Sequence, residues 1–469
     1  MNFADDEPNA ILSKSLILAS KTVNRLNQID QYHFPTDSSN DARQLLIDSF
    51  IQLQKPENVI AMDPSVLYNR LIALQELCDL IVQSSVDSIS WPLVGYCDDI
   101  WKSFFDTNNH KIFYSVTPEH NYSIFNFSAY VASLLDCLLS PTIIKELIKK
   151  EIHCLQLASI EDDNLPLYAI IGHEFGHTVF DRRKSEIFPI LGNHFIEVIN
   201  QINKHFIDNE KSQAERRLRR TIEVVKAMAE ELFSDLVGSL LMGPAYFLSS
   251  FEMSWGYTGS TFRILLAPEA INIRAYPSDL FRLNCTKTWT KVEDFCKSAD
   301  IDFNKLKCSE LKQLSKCLST IPTTNDSDCA SVRPKSDIDA AIIRDAIELQ
   351  ITQIKSSFNN FLADAAAQLR SWYPSSIVSL STNDIGELLL RLQHNILPNI
   401  IPDGTLRGKP ANLASILNAS ALLRLQLLAT GDSKDQESLA RRIGRIERLT
   451  AKALEVSFIQ DRYNQWAKD

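Results

Sequence analysis

Two histidines and a glutamate at helical spacing are the first residues in this chain that could do chemistry. They lie in the run Ile171-Gly172-His173-Glu174-Phe175-Gly176-His177. On an α-helix, residues four apart differ by about 40° in azimuth and roughly 6 Å along the axis. His173 and His177 therefore offer both imidazoles to one metal ion. Glu174 sits beside them, close enough to act as a base toward a metal-bound water without being a ligand. The chemistry expected of such a set is hydrolysis assisted by a bound Zn2+.

Zinc held by two histidines needs one more protein ligand and an open position for water. A second helical stretch, Ala229-Glu230-Glu231-Leu232-Phe233-Ser234-Asp235, supplies candidates. Glu231 and Asp235 are again four apart and share a helix face. Glu231 as ligand, with Asp235 accepting the free ring N–H of a ligating histidine, meets the demand, since such a carboxylate fixes tautomer and orientation. Glu230 and Glu223 are rivals for the ligand role, but neither is followed by an aspartate four positions on. Apolar neighbours (Leu232, Phe233, Leu236, Val237) argue against a merely solvated acidic face.

The elements that must position these groups are mostly helical. Only 13 of 469 residues are glycine, against a typical share of roughly 7%, and turn-rich β and α/β folds consume glycine. No GxGxxG or GxxxxGK[ST] run occurs, which excludes the usual dinucleotide and phosphate loops. Four of the scarce glycines, Gly172, Gly176, Gly238 and Gly243, fall in the two candidate site segments, where a second helix could come close. Leu165–Phe180 reads as a helix opening near Asp163, Asn164 and Pro166, and Lys211–Gly243 as one long helix stopped at Gly243-Pro244. Residues 1–105 show helical periodicity, with Asp63-Pro64 as a helix start. Strands are expected at Lys111–Val116, Tyr122–Phe127 and Cys154–Ile160, rich in β-branched and aromatic residues. Shorter helices follow from Cys285, a linker at 320–337, and further helix from 338 to 469, broken near Tyr373 and between Pro398 and Pro410.

With these residues in view, the chain resembles the gluzincin metallopeptidases, in which H-E-x-x-H is followed by E-x-x-x-D on a later helix. Its motifs are most similar to soluble HtpX-like and CAAX-prenyl-endopeptidase-like relatives. The resemblance covers about residues 150–284 and implies a zincin-like core with a small β-sheet, placed at 106–284 in a mainly α chain; the helical regions 1–105 and 285–469 flank it and share no such likeness. It also implies an edge strand that holds the bound peptide by β-augmentation, either Cys154–Ile160 or one of the strands at 111–127. That group carries a His-Pro-Ser turn with an arginine several residues on. Here the stretch is Tyr276-Pro277-Ser278-Asp279-Leu280-Phe281-Arg282, with tyrosine in place of histidine. Ser234 likewise replaces the usual alanine before Asp235. The resemblance thus places Arg282 near the site and makes Tyr276 or Arg282 a donor to the developing oxyanion.

The expected function is that of a zinc metallopeptidase: metal on His173, His177 and Glu231, with Glu174 as general base. The expected partners are a peptide or protein substrate and, from the large helical remainder, a regulatory protein. The alternative is a non-catalytic, zinc-stabilised helical interaction protein. Lys+Arg 48 against Asp+Glu 58 gives a net charge of −10, which disfavours nucleic acid. The arginine clusters Arg216/Arg217/Arg219/Arg220 and Arg441/Arg442/Arg445/Arg448 are read as solvated helix faces, and His194 and His205 as bystanders. The acidic opening lacks the basic region of a secretory signal, and the uncharged run Leu236–Phe251 is shorter than the ~20 residues of a membrane span. A cytoplasmic chain is expected. Nine cysteines without a CxxC pair read as reduced thiols.

Overall fold

The computed structural model describes the chain except residues 1–6, 30–33, 56–62, 86–90, 107–108, 118–121, 150, 159–164, 207–210, 259–278, 302–348, 376, 378–379, 406–407, 431–435 and 468–469. The 320–337 linker and Tyr276 lie outside the described residues. The fold is mainly helical with two small sheets, as the glycine content implies. Two compact units divide the chain, Met1–Asp162 and Asp163–Asp469.

The first unit contains α1 (Glu7–Gln28), α2 (Asp37–Leu53), α3 (Pro64–Val82), α4 (Trp91–Phe104), β1 (His110–Thr117), β2 (Ser123–Asn126), α5 (Phe127–Leu135), α6 (Pro141–Lys149) and β3 (Glu151–Ala158). Asp63 caps α3 as its position suggests: its carboxylate accepts from Ser65 N at 2.8 Å, and Pro64 opens the first turn. Asn126 ends β2 and caps α5, accepting from Ala129 N at 2.9 Å, so Phe127 leaves the expected strand for a helix. The sheet order is β1-β3-β2, with β1 parallel and β2 antiparallel to β3. Registers run from His110 opposite Glu151 to Thr117 opposite Ala158, and from Ser123 opposite Gln156 to Asn126 opposite His153. The Cys154 strand is thus the central one, hydrogen-bonded on both sides, and offers no edge to a peptide. Its Ile152, Cys154 and Leu155 are buried, and Ile152 and Cys154 belong to one core with Phe50, Leu74, Phe113, Phe127 and Leu135.

The second unit starts with a 3₁₀ turn at Leu165–Ile170, then α7 (Ile171–Arg182), α8 (Lys184–Phe206), α9 (Lys211–Met242), α10 (Pro244–Thr258), α11 (Asp279–Thr290), α12 (Val292–Ser298), α13 (Ile351–Trp372) and α14 (Thr382–Gln393). A two-stranded antiparallel pair follows, β4 (Ile400–Ile401) with β5 (Lys409–Pro410), then α15 (Leu413–Thr430) and α16 (Gln436–Trp466). The small β4–β5 pair was not expected; two-residue strands leave no alternating pattern to read. The α7 segment opens through the 3₁₀ turn rather than at a side-chain cap. Central to the unit is α9, packed against α7, α8, α11, α13 and α15, with Leu232, Phe233, Leu236 and Val237 buried. A helix surrounded on several sides buries more than one stripe, and the sequence around Leu232 is accordingly apolar on most faces.

Among the described residues no helix is long and apolar enough to cross a membrane.

Candidate metal centre

Small residues set the distance between α7 and α9. A Cβ on Gly172 would come within 2.9 Å of Gly238 Cα, and one on Gly176 within 2.4 Å of Ser234 Cα. Two small pairs four residues apart therefore let the helix backbones touch, Gly172/Gly176 on one side and Ser234/Gly238 on the other. This contact explains why a small residue must stand at position 234. It also brings the turn carrying Glu231 and Asp235 level with the two histidines.

The Nε2 atoms of His173 and His177 lie 3.1 Å apart. Glu231 approaches both, with Oε2 3.5 Å from His173 Nε2 and Oε1 3.8 Å from His177 Nε2. At ligand bonds near 2.0–2.1 Å and tetrahedral angles, donors around one zinc stand about 3.3 Å apart. The two Glu231 contacts are made by different oxygens, and one ligand atom from each of the three residues lies within 4.8 Å of the others, close enough to share one ion. His173, His177 and Glu231 form the group able to hold a metal, and among the described residues no fourth histidine, cysteine or carboxylate joins it.

The supporting residues are as ordered as the donors. Asp235 Oδ1 lies 2.9 Å from His173 Nδ1, the relation expected of a carboxylate that fixes a ligating ring. Arg282 grips Asp235 with two donors, Nε to Oδ2 at 2.8 Å and Nη2 to Oδ1 at 2.7 Å, while its Nη1 lies 3.5 Å from Glu231 Oε2. Glu230, a rival for the ligand role, instead faces the far side of the second ring, 3.1 Å from His177 Nδ1. Glu223 is exposed. Glu174 is buried beside His173. His177 is the more open of the two histidines, its side chain 24% exposed against 8% for His173.

No protein-family model, curated protein or solved structure matches the chain.

One member of the network belongs to none of the motifs. Tyr246, fully buried on α10, donates its hydroxyl to Asp235 Oδ1 at 2.6 Å and lies 3.3 Å from His173 Nδ1. Its ring rests on Gly238, where an added Cβ would fall 2.6 Å from Cε2. A glycine facing an aromatic one turn beyond the helix stop was the available hint.

Electrostatics favour the ionised carboxylates that ligation needs, but they keep His173 protonated until a metal arrives. Burial opposes the charges of Glu231 and Asp235, but it is outweighed. The His173 hydrogen bond and the Arg282 charge hold Glu231 below its ordinary range, and the Arg282 charge and hydrogen bonds do the same for Asp235. Burial alone would lower the His173 imidazole; hydrogen bonds to Asp235 and Glu231 prevail and raise it to about 10. A metal entering here therefore displaces a proton from His173. Burial, reinforced by the Asp235 charge, pushes the Tyr246 phenol far up and keeps it a donor.

The remaining candidates lie elsewhere. His194 pairs with Asp364 at 2.8 Å and His205 is exposed. Arg441, Arg442, Arg445 and Arg448 are exposed along α16 as expected. Arg217 departs from the expected solvated face, being buried at 4% exposure among exposed Arg216 and Arg219.

Proposed function

We propose that this chain is a zinc-dependent metallopeptidase of gluzincin type. The observation that carries the reading is the meeting of His173, His177 and Glu231, from two helices, with one ligand atom of each within 4.8 Å of the others. Three protein ligands rather than four, as found among the described residues, is the pattern of catalytic zinc, since a structural site is closed by a fourth. When bound, zinc lowers the pKa of a water and polarises the scissile carbonyl. Glu174 accepts the proton from that water and passes it to the departing amine. Asp235 holds the His173 ring, and Arg282 holds Asp235. Because Nε and Nη2 of Arg282 are committed to Asp235, its role in this scheme is to position that carboxylate. The substrate is a peptide or protein.

Metal analysis and peptide hydrolysis on three proteins test the proposal. Wild type and Glu174→Gln are expected to hold about one zinc per chain, and Glu231→Ala to lose it. Hydrolysis of a mixed peptide pool should fall about 10²–10⁴-fold in Glu174→Gln. A wild type unable to take up zinc refutes the metal centre. Zinc bound with no hydrolysis by wild type, and no change in Glu174→Gln, leaves a zinc-stabilised interaction protein.

A further inference from the structure

All three candidate ligands precede residue 232, yet the network behind them is closed from the far end of the chain. The link between α9 and α10 is a single residue, Gly243, in the left-handed region at φ +59°. A Cβ there would lie 2.3 Å from Leu380 Cδ1. Asn418, fully buried on α15, spans this link with every polar atom of its side chain. Its Oδ1 accepts from Ala245 N at 2.6 Å, and its Nδ2 donates to Met242 O and to Ala414 O, both at 2.7 Å. The bonds to Met242 O and Ala245 N serve the last carbonyl of α9 and an early amide of α10, groups that have no partner within their own helices, while the bond to Ala414 O lies within α15 and fixes the side chain. Eight residues along α10 from Pro244, Glu252 meets Arg424 of α15 at 2.8 Å, so α10 is fixed to α15 at two levels. Tyr246 stands one residue beyond the clamped Ala245. Its hydroxyl reaches Asp235 and His173 only if the chain reverses at this link with the observed angle.

We propose that Asn418 is a positioning residue of the metal centre: by clamping the Met242–Ala245 turn it holds the Tyr246 hydroxyl on Asp235, and so orients His173. The proposal rests on the metal-centre reading above. It makes α15 a working part of the site rather than a separate accessory. Outer partners of metal ligands are worth about 10–100-fold in affinity, and Tyr246 and Asn418 act through one path. Their losses should therefore overlap rather than add.

The test is zinc affinity by competition with a chromophoric chelator, together with the visible spectrum of the cobalt-loaded full chain. The proteins are wild type, Tyr246→Phe, Asn418→Ala and the double variant. Tyr246→Phe keeps the ring on Gly238 and removes only the hydroxyl. Each single variant is expected to bind zinc about tenfold more weakly and to shift the cobalt bands, with the double variant no worse than the weaker single. If Asn418→Ala does not fold, Asn418→Asp takes its place. It keeps the acceptor for Ala245 N–H, loses the donor to Met242 O, and is expected to move both readouts the same way. Asn418 variants with a lowered melting temperature but wild-type zinc affinity and cobalt spectrum overturn the proposal, as do fully additive losses. A wild type that binds no metal refutes the centre itself, whereas metal-binding wild type with unaffected variants refutes only the clamp.

Discussion

Replacing Gly176 by alanine should separate metal binding from stability. The added Cβ would sit 2.4 Å from Ser234 Cα and 2.9 Å from Ser234 Cβ. Ordinary carbon contacts lie near 3.5–4.0 Å, so α9 must retreat from α7 by about 1.2 Å. Both close atoms belong to or adjoin backbone, and no side-chain rotation relieves them. The His–Glu231 edges, now 3.5 and 3.8 Å, would open toward roughly 5 Å, while metal sites tolerate deviations of about 0.2 Å. Zinc affinity is expected to fall about 100-fold. Stability should change less: overpacking costs about 1–3 kcal/mol, alanine returns about 1 kcal/mol of helix propensity, and the net of about 0–2 kcal/mol lies below the roughly 2.8 kcal/mol of a 100-fold affinity loss. Gly192 on α8 is the matched control, since an added Cβ there meets no atom within 4 Å. Gly192→Ala should gain up to about 1 kcal/mol and bind zinc unchanged. Chelator competition measures the first quantity and urea unfolding of the metal-free protein the second. Gly176→Ala binding zinc as tightly as wild type would show that the glycine contact does not set the site, and would refute the reasoning.

Three further outcomes follow from the same contacts. Arg282→Leu strands the buried Asp235 carboxylate and should destabilise the metal-free protein by about 3 kcal/mol in urea unfolding; a loss below about 0.5 kcal/mol would mean the pair is solvated. Asp63→Ala removes the α3 cap and should lower the urea midpoint while leaving zinc affinity unchanged; altered zinc affinity would contradict that separation. Burial pushes the Cys78 thiol up to about 12 and also raises those of Cys154 and Cys285, whereas Cys137 is exposed. Alkylation of the native protein at pH 8, mapped by mass spectrometry, should mark Cys137 and spare those three; equal labelling would show that the surrounding core opens readily.

Much of the fold was legible because its signals are local. Asp63-Pro64 and Gly243-Pro244 marked helix ends, since caps and proline constraints act within one turn. β1 and β3 stood out through β-branched and aromatic runs. Strand order was not readable: β3 looks like any apolar strand, and only its pairing on both sides makes it central. Arg217 shows the same limit, since a charged residue in a charged run gives no sign that tertiary packing will bury it.

At the candidate metal site, helical spacing alone puts His173 and His177 on one helix face, and Glu231 and Asp235 on another. Helical periodicity fixes such relations without reference to the rest of the chain. Helix packing settles which carboxylate meets both imidazoles, turns Glu230 to His177 Nδ1, brings Arg282 onto Asp235 and lets Tyr246 close the network. Each of those depends on the depth and register at which helices meet. Here that is set by Gly172, Gly176, Ser234 and Gly238 at one contact, and at the other by a turn held from α15.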